Sequence, residues 1–225
     1  MTDVWRPADP LDDLVAAAAR GAVLAVPTES SYGLAVDPRN PAAVEAVYRV
    51  KGREAGKPLP VVVAAAGQLA LLGVDPEEPR AARLAACWPG AVSGLLPLRP
   101  DAPDLPAAAG ERSVAVRVPG HPLLRRVLAA AGPLTATSAN PSGRPPMLDP
   151  EEVAALLDGL DAVVVDGGRL AGGPPSTLVA FADDGGWRVL RPGRVGADRL
   201  AVCLGAGAGA RRGGKDRRAA PVEGR

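Results

Sequence analysis

Apolar positions along this chain fall into short runs and helical faces that alternate from end to end. Residues 11–20 carry a helical pattern, with Asp9 or Asp12 near its start and Gly21 beyond its end. Residues 22–26 form an apolar run of strand length. It stops at Pro27, and the polar Thr28-Glu29-Ser30-Ser31-Tyr32-Gly33 follows. Residues 41–51 bring Ala42, Val44, Val47, Tyr48 and Val50 to near-helical spacing, with Asn40 available as N-cap. Further helices are expected at 81–88, 122–131 and 150–158. Further strands are expected at 59–64, 91–98, 113–118, 134–137, 162–165, 176–181 and 187–190.

The alternation is irregular, and some strands follow each other directly. That predicts a mixed α/β sheet without a repeat. Residues 206–225 are mainly Gly, Ala and Arg with almost no apolar pattern. One domain over 1–205 and a disordered tail over 206–225 are therefore expected.

Composition narrows the function classes. The chain has 225 residues, 47% of them apolar, enough for one sizeable core. A net charge of +1, from 26 basic and 25 acidic side chains, demands neither a nucleic acid nor an anionic membrane. Cys87 and Cys203 lie far apart without CxxC spacing, so neither a structural zinc site nor a disulfide is expected. Charges and prolines fill residues 1–13, and no apolar stretch reaches the roughly 20 residues of a membrane span. A reducing cytoplasm is the expected compartment, with no membrane partner.

Four constellations carry candidate chemistry. Lys51, Arg53 and Lys57 gather three cations at a helix end. They complement the helix dipole, or they clamp phosphate. Ser138 and Asn140 lie in Thr137-Ser138-Ala139-Asn140-Pro141-Ser142-Gly143, a strand exit that either caps the next element or cradles a nucleotide. No P-loop pattern occurs. The polar segment 28–33 ends a buried strand, where α/β sheets bind ligands. In Ser113-Val114-Ala115-Val116-Arg117-Val118, Arg117 shares a face with Ser113 and Ala115. If that face is internal, Arg117 needs an anionic partner.

Taken in order, these segments resemble the YrdC-like threonylcarbamoyl-adenylate synthases. PTESSYGL is similar to that family's PTETVYGL, and Lys51-x-Arg53 with Ser138-x-Asn140 to its KxR…SxN signature. CWPG, SVAVRVPGHP, TSANPSGRP, STLV and LRPG resemble further family motifs. The resemblance runs from about Ala22 to Gly193.

It implies a twisted, mixed open sheet over a large concave cavity. It also implies synthesis of threonylcarbamoyl-AMP and pyrophosphate from L-threonine, bicarbonate and ATP, with Mg²⁺ accompanying the nucleotide. The product would pass to a tRNA threonylcarbamoyl-transferase complex. Arg53, Lys57, Ser113, Ser138 and Arg191 fall at ATP-contacting positions, with Lys51 and Asn140 completing the signature. Ser30, Arg117 and Ser176 fall at threonine-contacting positions, with Arg117 on the carboxylate. Lys51 and Arg53 are the expected catalytic pair. The single histidine, His121, is not required for this reaction.

Several positions depart from the family pattern. Ser30 and Ser31 replace Thr and Val, and Ala35 replaces Gly. Val62, Ala136 and Pro175 stand where other members place polar residues, the first two beside threonine. Pro146 replaces an ATP-contacting Ser. The chain leaves no room for the extra C-terminal domain of longer relatives. Two alternatives stay open: a paralog with another acceptor or carbamoyl chemistry, and an RNA-binding module using the basic tail residues Arg211, Arg212, Lys215, Arg217 and Arg218.

Overall fold

The computed structural model describes residues 2–52 and 56–205. Arg53 and the tail with its basic residues lie outside the described residues. The chain begins with β1 (Asp3–Trp5), α1 (Leu11–Ala19), β2 (Val23–Pro27), β3 (Tyr32–Ala35), α2 (Pro41–Lys51) and β4 (Val61–Val62). A 3₁₀ turn (Ala66–Leu72) leads to α3 (Pro79–Ala85), β5 (Val92–Pro97), β6 (Ser113–Arg117), α4 (Pro122–Ala131), β7 (Leu134–Thr135) and β8 (Thr137–Ser138). α5 (Pro150–Leu156), β9 (Ala162–Val165), β10 (Thr177–Phe181), β11 (Trp187–Arg191) and α6 (Ala197–Leu204) complete it.

The fold is the expected mixed α/β, with its strands divided between two sheets. One runs β1-β9-β2-β3-β8 and the other β11-β10-β5-β6-β4-β7. Both combine parallel and antiparallel pairs: β2 is parallel to β9 and antiparallel to β3, and β5 is parallel to β10 and antiparallel to β6. β2 explains its own unbroken apolar run. Val23 and Ala25 join the larger core, while Leu24 and Val26 join a second core against α1 and α4. A strand buried on both faces needs apolar residues at every position.

The chain crosses between sheets at Ala136. Its N–H donates to Pro60 O at 2.8 Å, between β7 in one sheet and β8 in the other. The expected strand at 134–137 is thus two short strands. The expected strand at 59–64 shrinks to Val61–Val62, because Pro58 and Pro60 flanking Leu59 have no N–H to give a ladder.

Helix ends follow local chemistry. Asn40 Oδ1 accepts from Ala43 N at 3.2 Å, as expected, although Ala43 and not Ala42 faces inward. α3 starts earlier than the apolar pattern suggested, because Pro79 occupies its first turn and Glu78 caps Arg80 N at 3.1 Å. His121 caps α4, its Nδ1 accepting from Leu124 N at 3.4 Å. Burial pushes this imidazole below its ordinary pKa, against the opposing charge of Glu29, and so favours the neutral form that can accept.

One expectation is overturned. Cys87 and Cys203 form a disulfide, with Cα atoms 5.3 Å apart and 116 residues between them in sequence. Sequence distance hid this because α6 returns to the end of α3. There Arg83 Nη2 donates to Leu204 O at 2.6 Å, and Trp187 Nε1 donates to Gly205 O at 3.1 Å. Closing so long a loop restricts the unfolded chain, so Cys203→Ser is expected to lower unfolding free energy by about 2–4 kcal/mol. Denaturant titration checks this. Two freely titrating thiols in the oxidised native protein would contradict the bond.

Candidate active site

The polar segments meet between the two sheets. A cavity of about 230 Å³ is lined by Ser30, Arg117, Ser138, Ser176 and Arg191, five of the residues singled out in the sequence. An adjoining recess of about 330 Å³ is lined by Ser113 and Glu111, and shares Pro58, Pro60, Ser93 and Arg191 with the first. Each polar group reaches the cavity from the end or edge of a strand. Ser30 sits in the β2–β3 turn, where Thr28 Oγ1 donates to Ser31 O at 2.7 Å and accepts from Ser30 N at 3.3 Å. Such a local side-chain bond fixes the turn without a partner strand.

Arg117 follows the predicted alternation. Val114 and Val116 enter the core, Ser113 and Ala115 line the recess, and Arg117 lines the cavity. The anion it requires is internal. Arg117 Nη1 lies 2.7 and 2.8 Å from the two Glu29 oxygens, and Glu29 Oε1 also accepts from Gly120 N at 2.6 Å. Burial alone would raise the Glu29 pKa. The Arg117 charge and the hydrogen bonds from Arg117 and Gly120 outweigh it and hold the carboxyl below its ordinary value.

A second guanidinium stands nearby. Arg191 Nη2 donates to Ser176 O at 3.0 Å and reaches Ser176 Oγ at 3.3 Å, while Ser176 Oγ lies 2.9 Å from Ser93 Oγ. Burial, then the neighbouring Arg117 charge, push Arg191 below its ordinary pKa. Arginine does not deprotonate at neutral pH, so Arg191 in the field of Arg117 favours an anion in the cavity. Two guanidinium groups and one carboxylate leave this cavity suited to an anionic ligand.

Lys51 and Asn140 lie behind the cavity wall. The buried Lys51 Nζ donates to Ser138 O at 2.6 Å and to Asn140 O at 3.1 Å. Ser142 N returns a bond to Lys51 O at 2.9 Å. The KxR…SxN spacing thus records a direct contact, a buried ammonium satisfied by the carbonyls of the SxN turn. Asn140 Nδ2 donates to Pro141 O and Arg144 O at 2.9 and 2.6 Å, leaving Oδ1 buried without a partner. Lys57 is exposed and meets neither cavity with its side chain. Its carbonyl accepts from Tyr48 Oη at 2.8 Å.

Sequence reasoning passed over Ser93 and Thr137 as site residues. Ser93 and Thr137 were hidden inside apolar or hydroxyl-rich strand segments and are recognisable only through their neighbours across the sheets. Of the departures, Val62, Ala136 and Pro175 line the cavity, Ala35 is in the second core, and Pro146 is exposed.

The Glu29–Arg117 pair sets an acid limit. The unfolded carboxyl titrates near its ordinary 4.5 and the folded one lower, so the unfolded chain takes up the proton first. The pair's stabilisation is complete above that range and is lost as pH falls through the folded value. Denaturation midpoints measured from about pH 7 down to about pH 3 are expected to fall more steeply for the wild type than for Glu29→Gln. Parallel acid limbs would refute the pairing.

Comparison with known proteins places these motifs. The Sua5/YciO/YrdC family, described as "Telomere recombination", matches residues 16–193. A threonylcarbamoyl-AMP synthase of Bacillus subtilis is 40% identical over 185 residues, covering 81% of this chain and 53% of that protein. One of Chromohalobacter salexigens is 41% identical over 176 residues, covering 76% and 92%. This chain therefore spans about half of the first relative and nearly all of the second. Among solved structures, P. abyssi Sua5 complexed with L-threonine superposes with a TM-score of 0.77 at 29% identity, covering 91% of this chain and 61% of that one. With most of the chain matched, including every strand lining the cavity, the protein belongs to the Sua5/YciO/YrdC family.

Proposed function

We propose that this protein is an L-threonylcarbamoyladenylate synthase. The observation that carries the reading is the cavity in which Arg117 and Arg191 converge with Ser30, Ser138 and Ser176. Its family membership and its similarity to proteins of that name support the same activity.

The threonine amine attacks the carbon of bicarbonate, water leaves, and a carbamate forms. A carbamate oxygen then attacks the α-phosphorus of ATP. The bond from that phosphorus to the bridging oxygen breaks, and pyrophosphate departs. No protein nucleophile takes part, so positioning and charge neutralisation carry the catalysis. Arg117 holds the threonine carboxylate through the part of its fork that Glu29 leaves open, with Ser30 and Ser176 beside it. Arg191, Ser138 and Ser113 line the path of the nucleotide, and the family resemblance assigns Arg53 and Lys57 to ATP. Lys51 and Asn140 shape the Ser138 turn. Mg²⁺ would accompany ATP and offset the charge of its phosphates.

The product is a labile mixed anhydride and passes to a transferase complex acting on tRNA adenosine. We place this in the cytoplasm, where ATP and tRNA are found. Among the described residues no helix is long and apolar enough to cross a membrane. The Cys87–Cys203 bond is unusual for that compartment.

A second reading keeps the scaffold and changes the acceptor. Val62, Ala136 and Pro175 give the cavity apolar wall where other members are polar. A substrate panel separates the two readings.

Purified protein with ATP, Mg²⁺, bicarbonate and threonine is expected to release pyrophosphate in a threonine-dependent manner. Turnover with another amino acid alone would favour the second reading, and no turnover would sink both. Lys51→Ala is expected to weaken ATP use by about 1.5–3 kcal/mol, since it frees the Ser138 turn and leaves buried carbonyls unpaired. ATP kinetics unchanged by Lys51→Ala would remove that role.

A further inference from the structure

We propose that Arg194 is a positioning residue that fastens the two loops at the acceptor end of the cavity to each other. The inference rests on the synthase reading above for its kinetic consequence, but not for its structural one.

Both loops carry a serine of the cavity. One is the β2–β3 turn with Ser30. The other precedes β10 and reads Gly172-Gly173-Pro174-Pro175-Ser176. Arg194 Nη2 donates to Glu29 O at 2.9 Å and to Gly172 O at 2.9 Å. One guanidinium nitrogen therefore bridges a carbonyl from each side. The same residue's N–H donates to Pro175 O at 2.8 Å.

The Gly172–Ser176 loop has little else to hold it. Gly172 and Gly173 have φ of 76° and 113°, a region that only glycine enters readily, and two glycines in succession favour many backbone states. On either side of the loop, backbone hydrogen bonds run from Leu170 N to Leu148 O and from Thr177 N to Ala91 O. Between them, the Gly172 and Pro175 carbonyls are held by Arg194, and the Ser176 carbonyl by Arg191.

Two close approaches show that this contact is built in. A Cβ on Gly193 would lie 2.3 Å from Pro175 O, and one on Gly173 would lie 2.9 Å from Arg194 Nη2. The strap over residues 191–194 thus lies on the loop backbone at a distance that a side chain at Gly193 would forbid, while the Gly173 approach marks how closely the Arg194 guanidinium covers the loop. Glu29 feels both ends: its carboxylate holds Arg117 and its carbonyl holds Arg194. The carboxylate-binding arginine, Ser30 and Ser176 are thereby set relative to one another.

Arg194 reaches neither cavity, so its removal acts through the loops and not through lost substrate contact. Arg194→Met is expected to raise KM for threonine about tenfold while leaving KM for ATP nearly unchanged, with Arg194→Lys restoring part of the loss. Amide hydrogen exchange of the full-length protein, without substrates, supplies the independent readout. Residues 29–31 and 172–176 should exchange faster in Arg194→Met, with α1 and α4 unaffected. Faster exchange with a raised threonine KM supports the role. Unchanged exchange, or faster exchange with unchanged threonine KM, overturns it. Should the wild type lack synthase activity, that result falls on the proposed function. Threonine affinity by calorimetry then replaces KM, and absent binding or unchanged affinity overturns the positioning role.

Discussion

An arginine on a strand between two sheets must find an anion before the protein can close around it. Arg117 finds Glu29, and the choice organises the molecule. Glu29 leaves β2 of one sheet and Arg117 ends β6 of the other, so their contact draws the sheets together where the cavity lies. Desolvating either group alone would cost several kcal/mol. Bound to each other and to Gly120 N, they remain charged and leave part of the arginine fork for a ligand. The pair is at once a seam of the fold and the floor of the site.

A second buried charge does comparable work from behind. Lys51 ends α2, yet its ammonium serves the Ser138–Asn140 turn, which follows a strand of the first sheet. The Ser138 hydroxyl can then face the cavity while the turn's carbonyls are satisfied from the rear. Of the signature residues, Lys51 holds the turn that carries Ser138 and Asn140.

How much of this could be read from the chain depended on the range of the interaction. α2 and α4 were legible to the residue, because apolar spacing, Asn40 and the prolines at their first positions are local signals. β3 was read as loop, since Tyr32 and Gly33 become a strand only by pairing with β2 across a short turn. β1 and α6 were missed for the same reason: their strand and helix are completed by β9 and α3. The site residues were legible as types, and Arg117's need for a partner followed from its alternation. That the partner is Glu29, and that Lys51 turns inward, required the sheets to be assembled.

The disulfide has a topological consequence. Residues 87–203 form a covalent ring that contains β5 and β6, the crossing at Ala136, and the Gly172–Ser176 loop. A protease cut anywhere within that ring leaves the chain in one covalent piece until a reductant is added. Such nicks would pass unseen on a non-reducing gel, while the polypeptide around the cavity had already been severed.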